Sequence, residues 1–155
     1  MRSSRTIRGR QELARQAFQS MRHMMLLFRA QMDEAMRPYE ITLAQAQVLF
    51  AVRNQPRSSG AQIARLCFIT PQTAQALLRH LEMQGWIERG KDPENDRIVV
   101  AWLTKEGEDV AHSVEQASLP LQEELWANIG DAELTQLNDL LIRCLENMDG
   151  VEGLR

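Results

Sequence analysis

Between Thr42 and Leu103 the apolar residues change their period from 3.6 to 2, and this switch restricts the fold more than any other feature of the chain. Three short helical segments come first, each with its own start signal. Thr42 with Gln45 makes a capping box ahead of Ala46, Val48, Leu49, Phe50 and Val52. Ser59 with Gln62 repeats the pattern ahead of Ile63, Ala64, Leu66 and Cys67. Thr70 as N-cap and Pro71 at N1 open the third segment. Its stripe of Ala74, Leu77, Leu78 and Leu81 leaves Gln72, Thr73, Gln75, Ala76 and Arg79 outward, and Gly85 closes it at C′. Alternation then takes over: Trp86-Ile87-Glu88-Arg89 and the run from Ile98 to Leu103 read as two strands, joined by a loop rich in turn residues from Gly90 to Arg97.

Longer helices flank this block. From about Gln11 to Arg37, Leu13, Ala17, Met21, Met24, Met25, Phe28, Met32, Ala35 and Met36 recur at steps of three and four until Pro38 stops the helix. Thr104 caps a helix expected to run through Val110, Val114, Ala117, Leu121, Leu125 and Ile129, with a kink or break at Pro120. A last helix, capped by Asp131 after Gly130, carries Leu134, Leu137, Leu141, Cys144, Leu145 and Met148. The fold class is therefore mainly α with a small β-hairpin wing. The expected divisions are a basic flexible arm at 1–10, helical dimerisation segments at 11–37 and 105–149, a winged helix-turn-helix at 38–104 and a tail at 150–155. Leu13, Ala17 and Phe18 with Leu134, Leu137, Leu141, Leu145 and Met148 form more apolar helix surface than one winged domain covers, so a homodimer interface is expected there.

Charge is distributed unevenly over the 155 residues. The net charge of −3 conceals 15 of the 18 Lys and Arg in residues 1–104, against 12 of the 21 Asp and Glu in residues 105–155. A basic half that meets a polyanion and an acidic half kept away from it fit this polarity. The longest apolar runs are too short for a membrane span. Cys67 and Cys144 stand far apart with no CxxC, which points to a reducing, cytoplasmic setting with neither a disulfide framework nor a zinc finger. His23, His80 and His112 are scattered, and no nucleophile with its base, metal cluster or phosphate loop stands at motif spacing, so neither catalysis nor a cofactor is expected.

Three helices followed by a hairpin place the third helix to enter a major groove, roughly 12 Å wide, while the hairpin tip reaches the flanking minor groove. Thr70, Gln72, Thr73, Gln75, Ala76 and Arg79 are the candidate groove contacts, and Arg89, Lys91 and Arg97 the candidate wing contacts. Gln pairs with adenine and Ala meets a thymine methyl, so an A·T-rich half-site is expected. The same element order also serves protein-interaction modules that bind no DNA, an alternative the basic half argues against.

The segments Leu43-Ala44-Gln45-Ala46-Gln47-Val48-Leu49, Gln62-Ile63-Ala64-Arg65-Leu66 and Leu81-Glu82-Met83-Gln84-Gly85-Trp86-Ile87-Glu88-Arg89 resemble the MarR family of bacterial transcriptional regulators. So does the wing, Asp92-Pro93-Glu94-Asn95-Asp96-Arg97, running into Leu103-Thr104-Lys105-Glu106-Gly107. The resemblance spans about residues 11–149. It implies a homodimer on a palindromic double-stranded operator, commonly released by a small aromatic or anionic effector, and hence a repressor. Two departures stand out. The family often has an acidic residue two positions before the wing arginine, bracing the hairpin through an ion pair, where this chain has Asn95; and Ala76 occupies a mid-helix position where a basic or larger polar residue is frequent. An effector pocket is expected from Met24, Met25, Phe28 and Phe50, with Arg22, His23 or Arg29 meeting an anion; adaptable methionines equally suit a filled core.

Overall fold

The computed structural model describes the backbone of residues 2–149 and the side chains of residues 9–148. Helix α1 spans Arg2–Met36 and passes through a short 3-10 turn, Arg37–Tyr39, to α2, Leu43–Asn54. A two-residue strand β1, Ser58–Ser59, leads to α3, Gly60–Leu66, and α4, Pro71–Met83. Strands β2, Ile87–Lys91, and β3, Val99–Leu103, precede α5, Lys105–Leu125, and α6, Asp131–Asp149. The chain divides into two compact units, 1–121 and 122–155.

Local chemistry sets the short elements. Thr42 and Ser59 each complete a reciprocal capping box, with Gln45 and Gln62. Thr70 Oγ1 accepts from the Thr73 amide at 3.1 Å. Gly85, at φ +76°, ends α4: its amide donates to Glu82 O and that of Trp86 to Leu81 O, both 3.0 Å, the two bonds of a Schellman motif. The same pair of bonds ends α3, from Phe68 to Arg65 O at 3.3 Å and from Ile69 to Ala64 O at 3.0 Å, but the left-handed position there is Phe68, φ 54°.

The core lies where α2, α3, α4 and the sheet meet the end of α1 and the first part of α5. Met32, Met36, Ile41, Val48, Leu49, Val52, Ile63, Leu78, Leu81, Ile87 and Val114 are all buried. At roughly 1.5–3 kcal/mol for each fully buried side chain of this kind, these residues decide the packing. The methionine stripe thus divides: Met32 and Met36 are core, whereas Met21, Met24 and Met25 are exposed.

Several boundaries differ from expectation. Helix α1 starts at Arg2, so residues 2–10 are helical rather than an arm ahead of Gln11. The sheet has three strands in the order β1-β3-β2, all antiparallel, because Ser58 and Ser59 pair with Ala101 and Val100. Pro120 lies within α5 without breaking it, and the helix ends at Leu125, with Asn128 at φ 65° ahead of Ile129. At α6 the flanking residue is Gly130 rather than Asp131: its carbonyl accepts from Leu134 N at 3.0 Å, and its amide donates to Glu133 Oε2 at 2.9 Å. The tail from Gly150 lies outside the described residues.

Candidate nucleic-acid interface

Helix α4 presents one clean polar face. Gln72, Thr73, Ala76 and Arg79 are exposed, while Ala74, Leu78 and Leu81 are buried on the opposite side. Thr70 and Thr73 join their hydroxyls at 2.8 Å, which fixes the first turn. Gln75 departs from expectation. It is half-buried; its Oε1 accepts from Arg89 Nη2 at 2.9 Å, and a Cβ on Gly60 would overlap its amide nitrogen.

Arg89 was expected among the free wing cations, yet its side chain is only 17% exposed and its second nitrogen lies 3.6 Å from Glu82 Oε2. It is tied to α4 and not displayed. Lys91 and Arg97 are exposed, and among the described residues no carboxylate pairs with Arg97. The brace that Asn95 lacks as an acid is rebuilt on backbone: Asn95 Oδ1 accepts from Arg97 N at 3.1 Å. Asp92 Oδ1 accepts from the amides of Glu94 at 2.7 Å and Asn95 at 3.3 Å. Two short side chains therefore shape the tip, each accepting locally from backbone amides as an Asx turn does, and leave the guanidinium of Arg97 free.

The wing is anchored at its other end. Glu88 pairs with Trp102 across the hairpin, and Glu88 Oε2 accepts from the indole Nε1 at 3.0 Å. The indole lies over Gly90, where a Cβ would come within 2.8 Å of the ring. Thr104 Oγ1 donates to Gly85 O at 2.7 Å and accepts from Gly107 N at 3.0 Å, while Thr104 N donates to Trp86 O at 3.1 Å. The end of α4, the start of β2 and the start of α5 are thus knotted at one point.

The residues expected to line an effector pocket are dispersed in the single chain. Arg29 lines a groove with Asp33, Arg37, Ile41 and Leu43, whereas Phe50 lines another with Gln47, Leu66, Cys67 and Phe68. Phe28 packs half-buried against the core; Arg22, His23, Met24 and Met25 are exposed. Burial pushes the Cys67 thiol up, and its Sγ donates to Gln47 O at 3.7 Å, which makes it a poor thiolate. Cys144 is exposed, not packed. Among the described residues no group of three His, Cys, Asp or Glu could hold a metal ion. No described helix is long and apolar enough to cross a membrane.

A family model described as MarR family matches residues 39–98, the stretch from the end of the 3-10 turn to the wing. Over this stretch the chain is similar to the MarR family. The relatives it matches are named as transcriptional regulators and repressors. An uncharacterized HTH-type transcriptional regulator of Bacillus subtilis is 31% identical over 76 residues, 49% of this chain and 46% of that protein. The multiple antibiotic resistance protein MarR of Escherichia coli is 27% identical over 115 residues, 74% of this chain and 80% of its own length. An HTH-type transcriptional repressor of Mycobacterium tuberculosis is 30% identical over 89 residues, 57% of this chain and 64% of that protein. The match thus spans less than two thirds of the first and third relatives. Among solved structures, a mutant of E. coli MarR complexed with operator DNA superposes with a TM-score of 0.75 at 24% identity, covering 82% of this chain and 91% of that one. A structure of Bordetella bronchiseptica BpsR, on regulation of its DNA binding by 6-hydroxynicotinic acid, gives 0.73 at 20% identity, covering 83% and 98%. In this chain two features escaped sequence reading, the Gln75–Arg89 bond and the pairing of Arg53 with Glu115. Neither has a spacing signature, because their partners are 14 and 62 residues apart.

Proposed function

We propose that the chain is a sequence-specific DNA-binding transcriptional regulator that acts as a homodimer on a palindromic operator. The observation that carries this reading is the joint display of an exposed polar face on α4 and an unpaired Arg97 at the wing tip, with Lys91 beside it. Gln72, Thr73, Ala76 and Arg79 face the major groove; Arg97 and Lys91 meet phosphate or the minor groove. An operator complex of a fold neighbour and the repressor named among the relatives support a repressor role.

Apolar side chains left exposed on α1, Leu13 and Phe18, and on α6, Leu141, Leu145 and Met148, support the dimer. Release by a small aromatic or anionic ligand is supported by the response of BpsR to 6-hydroxynicotinic acid. Such a ligand shifts DNA binding only through its difference in affinity for the two dimer shapes.

The test is a mobility shift with duplex DNA at two salt concentrations. Affinity that falls steeply with salt, with Arg97→Ala weakening all duplexes alike, is the expected result. Absence of binding at low salt would assign the fold to protein interaction instead.

A further inference from the structure

The expectation that Gln75 reads a base meets an obstacle in its surroundings. Its side chain is half-buried, its carbonyl oxygen is engaged 2.9 Å from Arg89 Nη2, and its amide nitrogen sits where a Cβ of residue 60 would be. Glu82, seven residues further along α4, stands on the same face after two turns and holds the other nitrogen of the same guanidinium at 3.6 Å. Arg89 therefore spans two turns of the recognition helix from the middle of β2. Its register partner is Ala101 of β3, which in turn pairs with Ser58 beside Gly60. The contact closes a loop through α3, α4 and all three strands.

We propose that Gln75 is a positioning residue: its amide, seated on Gly60, holds Arg89 and so fixes the wing relative to the recognition helix. Gly60 is required because only a residue without Cβ leaves space for the amide. The wing tip has Asp92 and Asn95 for its own shape, but these bonds stay within the loop and say nothing about its angle to α4. A hydrogen bond to a charged donor is stronger than a neutral one, which suits a contact between separate elements.

This proposal rests on the DNA-binding reading, and the experiment separates the two. Affinity and base preference are measured for wild type, Gln75→Ala, Arg89→Ala, the double variant and Gly60→Ala, on a duplex that the wild-type protein selects from a random pool. Hydrogen exchange of β2 and β3 is followed in the free proteins. Each single variant is expected to lose about ten-fold in affinity, and the double variant also about ten-fold where independent contacts would cost about a hundred-fold. Base preference stays unchanged at every position, Gly60→Ala reproduces Gln75→Ala although buried, and wing amides exchange faster in all four variants. Additive losses, or altered preference at a single base pair in Gln75→Ala, would overturn the proposal in favour of direct base reading; so would unchanged wing exchange. A wild-type protein that selects no duplex overturns the DNA reading instead, and wing exchange in the free variants still decides whether Gln75 holds the wing.

Discussion

At residue scale, two positions carry testable strain. Phe68 is 96% exposed and closes α3 at φ 54°, a left-handed conformation that costs a non-glycine residue roughly 1–2 kcal/mol. A turn between the paired helices often holds glycine for this reason. Asn visits that region more readily without the full entropy of glycine, so Phe68→Asn is expected to stabilise the fold by about 1 kcal/mol. Thermal melts check this, and a lower melting temperature would show that the ring contributes more to the groove with Phe50 and Leu66 than its backbone costs. Gly107 is constrained the opposite way, by space. A Cβ there would strike the carbonyl oxygen of Trp86, the same oxygen that accepts from Thr104. Since backbone on both sides must move, Gly107→Ala is expected to cost about 3 kcal/mol, read as a loss in denaturant midpoint with unchanged m-value.

At the scale of elements, α2 and α5 are tied by Arg53, whose two terminal nitrogens donate to Glu115 at 3.2 and 2.9 Å while its guanidinium lies 5.0 Å from the Phe50 ring centroid. Hydrogen bonding to Arg53 holds the Glu115 carboxyl below its ordinary value of 4.5. A carboxylate lowered in the folded state stabilises it above the unfolded pKa, and that contribution fades as pH falls through the folded one. Glu115→Gln is therefore expected to melt below wild type at about pH 7 and to approach it as the medium is acidified below about pH 4. A gap independent of pH would locate the effect in packing. This tie was invisible in the sequence, as was β1. A two-residue strand has no period, and Ser58-Ser59 carries a cap signal for α3 that masks its pairing with β3. The helix starts at Thr42, Ser59 and Thr70 were legible because a cap is chemistry between residues three apart. The C-terminal end of α5 and the Gln75–Arg89 contact were not, since they depend on a left-handed Asn128 and on partners brought together by the sheet.

For the proposed dimer, the decisive quantity is how far apart its two recognition helices would be held. Among its described residues helix α6 has no buried side chain, and Leu137, Leu140, Leu141, Ile142, Leu145 and Met148 are all exposed along it. Leu140 and Ile142 widen this surface beyond the stripe legible in the sequence. Exposed apolar surface of this continuity marks an interaction site in a monomer of this size. In the proposed homodimer, a second copy is the occupant that covers this surface. In such a proposed dimer, a two-fold axis would set the recognition helices about 34 Å apart, one turn of DNA, and would convert two weak half-site contacts into one tight operator contact. Leu141→Glu with Leu145→Glu is expected to yield monomers by sedimentation while preserving the winged domain's helical signal. Its affinity for the palindrome should fall by about a hundred-fold or more, toward that for a half-site, because the second contact ceases to be intramolecular. A doubly substituted protein that sediments as a dimer, or a monomer that grips the full palindrome as tightly as wild type, would remove α6 from the interface and the dimer from the mechanism.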